Sequence, residues 1–252
     1  MSVTAAAKRR FKILRIRNQR LRARLRRHLF PTGLFQICFS LTALIVFSPL
    51  FLLVAALVKL NSPGPFFYRG ARVGLENSVF RVIKFRTLPL RYEERVGSRL
   101  LTERERYNGV LAAIIVRLKL DEMPQLLNVL MGDMALVGPR PIRPVFYSRY
   151  VREIPGYAKR FQVKPGITGL AQIVGGYYMD PGDKLKYDLL YIQNKGLILD
   201  IKIMFLTILT LVFTRRIMGL SIVRRFLGIP IAVNGDDIVP SMETYGKVTD
   251  CR

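Results

Sequence analysis

Two adjacent carboxylates, Asp121 and Glu122, lie in the segment LKLDEMPQLLNVL of a chain with 41 Lys and Arg against 17 Asp and Glu. A carboxylate can attack the phosphorus of a phosphate ester and form a covalent aspartyl phosphate. A neighbouring Glu and a hard cation such as Mg²⁺ would neutralise the charge of a diphosphate. The alternative is structural: Asp121 would cap the following helix, and Glu122 would complement the helix dipole. The pair alone leaves both interpretations open.

Three further features of the sequence suit phosphate binding. Arg140 lies in the segment GPRP, where Pro139 and Pro141 restrict the backbone on both sides, and such a guanidinium suits bidentate phosphate recognition. Lys84 and Arg86 in KFRT are two residues apart and therefore lie on one face of a strand. The segment PGITG offers backbone N–H groups that can come close to a ligand. Each feature is also compatible with an ordinary surface loop, strand or turn.

Local patterns predict the elements that would position these residues. Apolar residues at helical spacing predict a short helix from Asp121 to Gly132, with Pro124 in its first turn. Aromatic and β-branched residues on both sides of a turn at 74–78 predict a β-hairpin. The apolar residues 110–118 predict either the end of a helix or a buried strand.

Residues 30–58 contain no charged side chain, and this run is long enough for a membrane-spanning helix. Ser48 and Pro49 interrupt it near the middle, where a proline removes a backbone donor and kinks a helix. Basic residues flank both ends, which the positive-inside rule places on the cytoplasmic side. A re-entrant helix-break-helix satisfies both features, with arms of roughly 21 Å that are too short to cross alone. The pattern alone does not decide between one span and a re-entrant hairpin.

The composition limits the remaining alternatives. A net charge of +24 attracts phosphate groups, whether of nucleic acid, anionic lipid or a phosphorylated substrate. Residues 1–29 are rich in Arg and Lys, and we expect this arm either to be disordered or to lie as a basic helix on anionic lipid. The segment LILDIKIMFLTILTLVFTRR predicts an amphipathic helix on the membrane plane. Two distant cysteines and a single histidine exclude a disulfide framework and a cysteine–histidine metal cluster.

The order of the motifs resembles that of one known family. NSPGPFFYRGARVG, FRVIKFRT, LDEMPQLLNVLMGDMALVGPRP, IPGYAKRFQVKPGITGLAQIVGG and KLKYDLLYIQNKGLILDIKIM follow one another within residues 33–215. They are similar to the signature blocks of the bacterial sugar transferase family, the monotopic phosphoglycosyl transferases that begin lipid-linked glycan assembly. The resemblance implies a helix-rich α+β fold. It would be a monotopic membrane protein with an N-terminal re-entrant helix-break-helix at Ser48 and Pro49, a small β-hairpin and interfacial amphipathic helices.

The resemblance also implies a reaction. Asp121 would attack the sugar-bearing phosphate of a nucleotide diphosphate sugar, with UDP as the expected nucleotide, and release a nucleoside monophosphate. The phosphosugar would then pass to a polyprenyl phosphate such as undecaprenyl phosphate. This would be the first membrane step in the assembly of an exopolysaccharide, capsule, O-antigen or glycoprotein glycan. Glu122 would assist with Mg²⁺ and proton handling, so both carboxylates are expected at the metal.

The resemblance assigns substrate binding to further residues. Arg140 would hold phosphate, and Asp188 in YDLLYI matches a family acid whose duty is less defined. The other expected substrate-binding residues are Lys84, Arg86, Lys164, Gly166, Thr168, Gly169 and Gln172. The chain departs from the family pattern at Leu118 and Lys119, where Thr and Ser are common, and at Lys164, where Arg is usual. These departures leave the sugar and the nucleotide base open.

Together these features predict four segments: a basic arm at 1–29, a re-entrant membrane hairpin at 30–60, a cytoplasmic catalytic domain at 61–214 and a C-terminal extension at 215–252. We expect the protein at the bacterial cytoplasmic (inner) membrane, in contact with membrane lipids and with its catalytic domain facing the cytoplasm; a homodimer stays open. Nucleic acid is not an expected partner, because the basic residues cluster in the arm beside the membrane and the sequence has no recognised nucleic-acid motif. The alternative function is a membrane-tethered basic binding or scaffold protein without catalysis.

Overall fold

The structure is a computed structural model that describes residues 31–89, 92, 96–97, 102, 105, 107–175, 179–212 and 220–228. The predicted basic arm, and the predicted C-terminal extension except for residues 220–228, lie outside the described residues. The helices are α1 (Pro31–Val46), α2 (Ser48–Asn61), α3 (Gly109–Arg117), α4 (Gln125–Leu130), α5 (Pro144–Glu153), α6 (Leu170–Val174), α7 (Pro181–Asn194), α8 (Leu197–Val212) and α9 (Leu220–Leu227). The strands are β1 (Phe67–Val73), β2 (Val79–Phe85), β3 (Ala135–Val137) and β4 (Gly166–Thr168). The predicted helix-rich α+β class is confirmed.

Helices α1 and α2 are two halves of one apolar segment that bends by 65° at Phe47. Ser48 and Pro49 form the start of α2, where a proline is tolerated because the first N–H groups of a helix have no partner within it. The break thus lies one residue before the predicted Ser48–Pro49 pair. Among the described residues, no single helix has the length and apolar composition to cross a membrane, whereas these two bent halves meet that criterion together.

Strands β1 and β2 form the predicted antiparallel hairpin, with its turn at residues 75–77. Alternate residues of β2 point to opposite faces, so Lys84 shares a face with the buried Phe80 and Val82. On the other face, the ring of Phe85 packs against Phe51 of α2 at 4.7 Å between centroids. The hairpin therefore joins the bent helix pair to the core and directs Lys84 inward.

The helix that follows the two carboxylates starts later than predicted. Residues 110–117 of the predicted segment lie in helix α3, and beyond its end Lys119 adopts a left-handed conformation with φ of 59°. Leu120–Glu122 form a separate 3-10 turn, and α4 begins only at Gln125. The left-handed backbone at Lys119 and the separate 3-10 turn divide α3 from α4 and delay the start of the second helix. The carboxylates consequently lie in a tight turn ahead of the helix.

Asn128, which is fully buried in α4, fastens this helix to strand β2. Its side-chain amide donates a hydrogen bond to the carbonyl of Arg81 at 2.8 Å and accepts one from the N–H of Ile83 at 2.9 Å. The amide thereby pairs with a backbone carbonyl and a backbone N–H of β2, as the backbone of a neighbouring strand would do. The turn before α4 is held in register with the strand that carries Lys84.

Strands β3 and β4 form a parallel pair that brings the GPRP and PGITG segments together. Gly138 donates to the carbonyl of Thr168 at 2.9 Å, and Gly166 donates to the carbonyl of Pro139 at 3.0 Å. A Cβ added at Gly166 would lie 2.0 Å from the nitrogen of Gly138, and one at Gly169 would lie 2.2 Å from the Gly138 oxygen. Glycine is required here because the two backbones touch.

Helix α8 combines a buried face with an exposed apolar face. Leu199, Ile203 and Leu206 are buried in the main core, which also contains Tyr191 of α7. The exposed apolar residues of α8 are Ile198, Ile201, Phe205, Ile208 and Leu211. The predicted helix is present, and its position on a membrane plane stays a prediction.

Candidate active site

Asp121 lies in the 3-10 turn with 8% of its surface exposed, and its Oδ1 has no hydrogen-bond partner among the described residues. The alternative in which Asp121 caps α4 is wrong, because Pro124 occupies the capping position and no described side chain makes a capping hydrogen bond there. Burial raises the pKa of Asp121 to about 6; the charge of Lys84 opposes this rise, and the charge of Glu122 adds to it. At neutral pH Asp121 is therefore an ionised carboxylate with an oxygen available for another partner.

Glu122 is held by two cations. Lys84 Nζ contacts its Oε1 at 2.8 Å, Arg140 Nη2 contacts the same oxygen at 2.6 Å, and Arg140 Nη1 reaches Oε2 at 3.3 Å. Burial acts to raise the pKa of Glu122, but Arg140 and Lys84 outweigh it and hold the pKa well below its ordinary value. Glu122 thus stays charged at neutral pH, with both of its oxygens engaged.

Arg140 connects the carboxylate pair to the glycine-rich segment. Its Nη1 also donates to Oε1 of Gln172 at 2.8 Å, and Nε2 of Gln172 donates to the carbonyl of Ile167 at 3.3 Å. The Arg140 side chain remains 32% exposed and that of Lys84 19% exposed, so both cations can meet a ligand without leaving Glu122. Four predicted site residues therefore form one hydrogen-bonded group: Lys84, Glu122, Arg140 and Gln172.

Lys119 adds strain and charge immediately before the turn. A residue with a side chain is disfavoured at its φ of 59°, and such strain tends to occur at functional sites. Its charge lowers the pKa of both Asp121 and Glu122. Sequence reasoning treated Lys119 only as a departure from a pattern, since a left-handed backbone at lysine has no signature in the sequence.

Two predicted substrate-binding residues are bonded to structural partners. Arg86 is buried directly after β2, where its guanidinium donates to the carbonyl of Pro65 at 2.7 Å and to the carbonyl and hydroxyl of Ser62 at 2.8 Å. Thr168 Oγ1 lies 2.6 Å from the hydroxyl of Thr207 in α8. The structure thus gives Arg86 and Thr168 partners outside the group around Glu122. Their role in substrate binding stays a prediction.

The remaining predicted residues of the glycine-rich segment lie against the backbone of the Arg140 loop. Gly166 and Gly169 lie against the backbone of Gly138, which lets the Arg140 loop come close to strand β4. Lys164 lies half-buried before that strand, and its carbonyl oxygen also faces Gly138. Direct contact of these three residues with a substrate stays a prediction.

Asp188 in α7 is buried and forms an ion pair with Arg160, at 2.7 Å between Oδ2 and Nη2. Burial raises the pKa of Asp188 to about 6, and the Arg160 guanidinium opposes the rise. Because the pKa stays below 7, Asp188 is ionised at neutral pH. The structure places this predicted substrate-binding acid against a buried arginine.

Comparison with known proteins identifies the family. A profile described as bacterial sugar transferase matches residues 27–214 of the 252-residue chain. The chain belongs to this family. All of the predicted site residues of this bacterial sugar transferase, from the Ser48–Pro49 pair to Asp188, lie within the matched region.

Named relatives differ in how much of their length this chain covers. The UDP-N-acetylgalactosamine-undecaprenyl-phosphate N-acetylgalactosaminephosphotransferase of Aeromonas hydrophila is 42% identical over 175 residues, which cover 68% of this chain but only 41% of the relative. The exopolysaccharide production protein ExoY of Sinorhizobium fredii is 36% identical over 189 residues, or 69% of this chain and 82% of the relative. The UDP-glucose:undecaprenyl-phosphate glucose-1-phosphate transferase of Caulobacter vibrioides is 40% identical over 182 residues, which cover 69% of this chain and 66% of the relative. This chain therefore spans less than half of the Aeromonas relative and most of the Sinorhizobium relative.

The site of this bacterial sugar transferase offers limited means of holding a metal. Within the described part of the chain, no group of three or more Asp, Glu, His or Cys side chains is arranged around a possible metal position. The Oδ1 of Asp121 suits a hard cation, whereas Lys84 and Arg140 already engage both oxygens of Glu122. Mg²⁺ commonly takes one or two carboxylates and completes its shell with water and substrate phosphates. The residues fit such a cation through Asp121, and Mg²⁺ binding stays a prediction.

Sequence reasoning missed two further residues that shape the site, Asn128 and Arg160. Asn128 is a polar residue inside the apolar run LLNVL, and this contrast was the available signal. Arg160 lies among many other basic residues, so its burial could not be distinguished in a chain with a net charge of +24.

Proposed function

We propose that this bacterial sugar transferase moves a sugar-1-phosphate from a nucleotide diphosphate sugar, with UDP as the expected nucleotide, to a polyprenyl phosphate through a covalent intermediate on Asp121. One observation carries the proposal: the buried Asp121 Oδ1 has no hydrogen-bond partner in the part of the chain that the structure describes, and the adjacent Glu122 is held by two cations. The relatives' names support the substrate classes, because they name UDP-N-acetylgalactosamine or UDP-glucose and undecaprenyl phosphate.

In the first step, Asp121 Oδ1 attacks the phosphorus that carries the sugar. A bond forms between the carboxylate oxygen and phosphorus, and the bond from phosphorus to the bridging oxygen of the nucleotide breaks. The nucleoside monophosphate leaves with that electron pair, and the phosphosugar remains on Asp121 as an acyl phosphate. No proton transfer is needed to balance this step.

The basic residues make the approach of two anions feasible. Lys84, Lys119 and Arg140 outnumber the two carboxylates, so an incoming diphosphate meets a positive site. Arg140 and Lys84 are fixed by Glu122 before the substrate arrives, and charges that are already oriented stabilise a transition state without reorganisation. Mg²⁺, when bound, would add neutralisation of the phosphate oxygens.

In the second step, an oxygen of the polyprenyl phosphate attacks the same phosphorus. The bond from phosphorus to Asp121 Oδ1 breaks, and the carboxylate is regenerated while a polyprenyl diphosphate sugar leaves. This two-step sequence explains why one carboxylate oxygen is kept available in a buried turn. The product would enter the assembly of a glycan such as an exopolysaccharide. The name of the Sinorhizobium relative, an exopolysaccharide production protein, supports this assignment.

A position on the cytoplasmic face of the inner membrane is part of the proposal. Exposed apolar residues on three helices support it: Leu60 of α2 is 82% exposed, Val110 of α3 is 77% exposed and Ile198 of α8 is 73% exposed. Apolar side chains on an interfacial helix insert into the headgroup boundary of a bilayer. A domain held there would meet the phosphate of a membrane-embedded polyprenyl acceptor.

The test is a screen of nucleotide sugars with polyprenyl phosphate, Mg²⁺ and the purified full chain, scored by release of nucleoside monophosphate. We expect release with at least one UDP-sugar. Asp121→Asn should abolish it, and the matched control Asp183→Asn, which changes an exposed aspartate paired with Lys186, should retain it. Release by Asp121→Asn at the rate of the unmodified chain would contradict the proposal. No release with any donor would favour the alternative of a membrane-tethered scaffold.

A further inference from the structure

A buried guanidinium lies directly behind the loop that carries Arg140. The side chains of Arg160 and Asp188 are each 3% exposed, and they form the ion pair between the 3-10 turn Tyr157–Gln162 and helix α7. Arg160 Nη2 also donates to the backbone carbonyl of Arg140 at 3.1 Å, and its Nη1 donates to the hydroxyl of Tyr157. The Arg160 guanidinium therefore contacts the backbone of the Arg140 loop, while the Arg140 side chain contacts Glu122.

The backbone around Arg140 is held at two successive carbonyls. Gly166 N donates to the carbonyl of Pro139 at 3.0 Å, and Arg160 donates to the carbonyl of Arg140 itself. Pro139 and Pro141 restrict the intervening dihedrals. These hydrogen bonds fix the main chain at Arg140, and they therefore fix the position from which its side chain extends to Glu122.

We propose that Arg160, held in place by Asp188, is a positioning residue that fixes the backbone of Arg140 and thereby aims its guanidinium at Glu122 and at the substrate phosphate. This inference rests on the proposed function, because that function supplies the substrate phosphate that Arg140 would bind. It assigns Asp188 a new role: the acid acts through Arg160 and does not bind the substrate. The chain of contacts runs from Asp188 through Arg160 and the Arg140 carbonyl to Glu122.

The surroundings of the pair explain why both charges are needed. Arg160 lies over the ring of Tyr157 at 5.1 Å and that of Phe161 at 5.8 Å, and the neighbouring core is apolar. Removing one member of a buried ion pair leaves an uncompensated charge, whereas replacing both members with apolar residues of similar volume is often neutral for stability. Replacement of both members therefore separates the effect of the pair on Arg140 from its effect on the fold better than either single substitution does.

The experiment is a double-mutant cycle on the full chain. Arg160→Met with Asp188→Leu removes the pair, and the same change is made in an Arg140→Ala background. We expect the pair replacement to lower kcat/KM by about tenfold to a hundredfold when Arg140 is present, because small displacements of a substrate-positioning group are costly. In the Arg140→Ala background it should change kcat/KM by less than about threefold, because the coupling partner is absent.

Equal losses in both backgrounds would overturn the inference, since they would show an effect on the fold that does not pass through Arg140. The control Arg149→Met with Glu153→Leu removes an exposed ion pair and should leave kcat/KM unchanged. If the melting curve shows that the Arg160→Met, Asp188→Leu protein is unfolded, Arg160→Lys takes its place. It keeps the charge but lacks the guanidinium fork, and it is judged by the same criterion.

A second readout does not depend on turnover. In protein carrying ¹³C-labelled glutamate, NMR should show that the pair replacement raises the pKa of Glu122, because Arg140 holds that pKa low. An unchanged Glu122 pKa would overturn the inference even in a protein without measurable activity. The failure of the proposed function would appear separately, as an unmodified chain that releases no nucleoside monophosphate from any donor.

Discussion

Asp121 and Asp188 of this bacterial sugar transferase are buried aspartates whose pKa values burial raises to the same level, about 6, yet their oxygens meet different surroundings. Among the described residues, Asp121 Oδ1 has neither a hydrogen bond nor an ion pair, whereas Asp188 Oδ2, although it too lacks a hydrogen bond of good geometry, forms an ion pair with Arg160 at 2.7 Å. Burial alone therefore does not distinguish a reactive carboxylate from a structural one. The distinction is whether a protein cation already occupies the oxygen, and this assigns reaction to Asp121 and positioning to Asp188.

Replacing each aspartate with asparagine should give the largest difference. Asp121→Asn removes the proposed nucleophile and should lower kcat/KM by about 10⁴-fold or more, as expected for removal of a covalent catalyst. Asp188→Asn keeps a hydrogen-bond acceptor near Arg160 and should lower kcat/KM by only about tenfold to a hundredfold. Steady-state release of nucleoside monophosphate measures both. Equal losses for the two variants would remove the proposed division of roles.

Glu122→Gln should have the next largest effect on activity. The neutral amide cannot hold both Lys84 and Arg140 as the carboxylate does, so the two cations lose their common anchor. We expect kcat/KM to fall by about 10²- to 10³-fold, the range seen when one preorganised electrostatic group is removed. Asp183→Asn serves as the control for loss of one negative charge at an exposed position. Activity within a factor of a few of the unmodified chain would show that Glu122 is not the anchor.

Stability should change in opposite directions at the two sites. Arg160→Met leaves Asp188 buried without its cation and should lower the free energy of unfolding by roughly 3 kcal/mol at pH 8. The loss should shrink as the pH falls, because the isolated Asp188 can take up a proton. Asp121→Asn should instead raise the free energy of unfolding, by roughly 3 kcal/mol at pH 8, because ionised Asp121 is disfavoured by burial.

The sign for Asp121 follows from its two pKa values. The folded pKa, about 6, lies above the ordinary value of 3.8, so the native state binds the proton more tightly. The stability that this proton provides is fully present below pH 4 and is lost as the pH rises through 6. Asp121→Asn and the unmodified chain should therefore unfold alike at pH 4 and diverge by pH 8. A destabilised Asp121→Asn variant at pH 8 would contradict this account.

The pH profile should give the smallest but most selective effect. Since the nucleophile must be ionised, kcat/KM should decline as the pH falls below about 6. Glu122→Gln removes a charge that raises the pKa of Asp121, so its acidic limb should move to lower pH. A limb that does not move would assign the titration to another group, such as Asp188.

Sequence reasoning predicted the elements of this fold better than the connections between them. The β-hairpin and the interrupted apolar segment could be predicted because Pro49 and the alternating β-branched residues act locally. The start of α4 could not, because the left-handed conformation of Lys119 and the separate 3-10 turn depend on how that turn packs against α3 and β2.

The residues of the candidate site were also predicted in part. Glu122, Arg140 and Gln172 were predicted as site residues, and the structure brings them together, because their motifs are adjacent to the parallel strands that align them. Arg86 shares strand spacing with Lys84, but it lies past the end of β2, where the carbonyls of Ser62 and Pro65 surround it. Spacing along a strand predicts a shared face only while the strand continues.

The most direct measurement is the intact mass of the purified chain after incubation with the donor nucleotide sugar in the absence of polyprenyl phosphate. The account predicts a mass gain of one phosphosugar, located by fragmentation on the peptide that contains Asp121 and removed when polyprenyl phosphate is added. Nucleoside monophosphate release without any adduct, or an adduct that persists in Asp121→Asn, would contradict it.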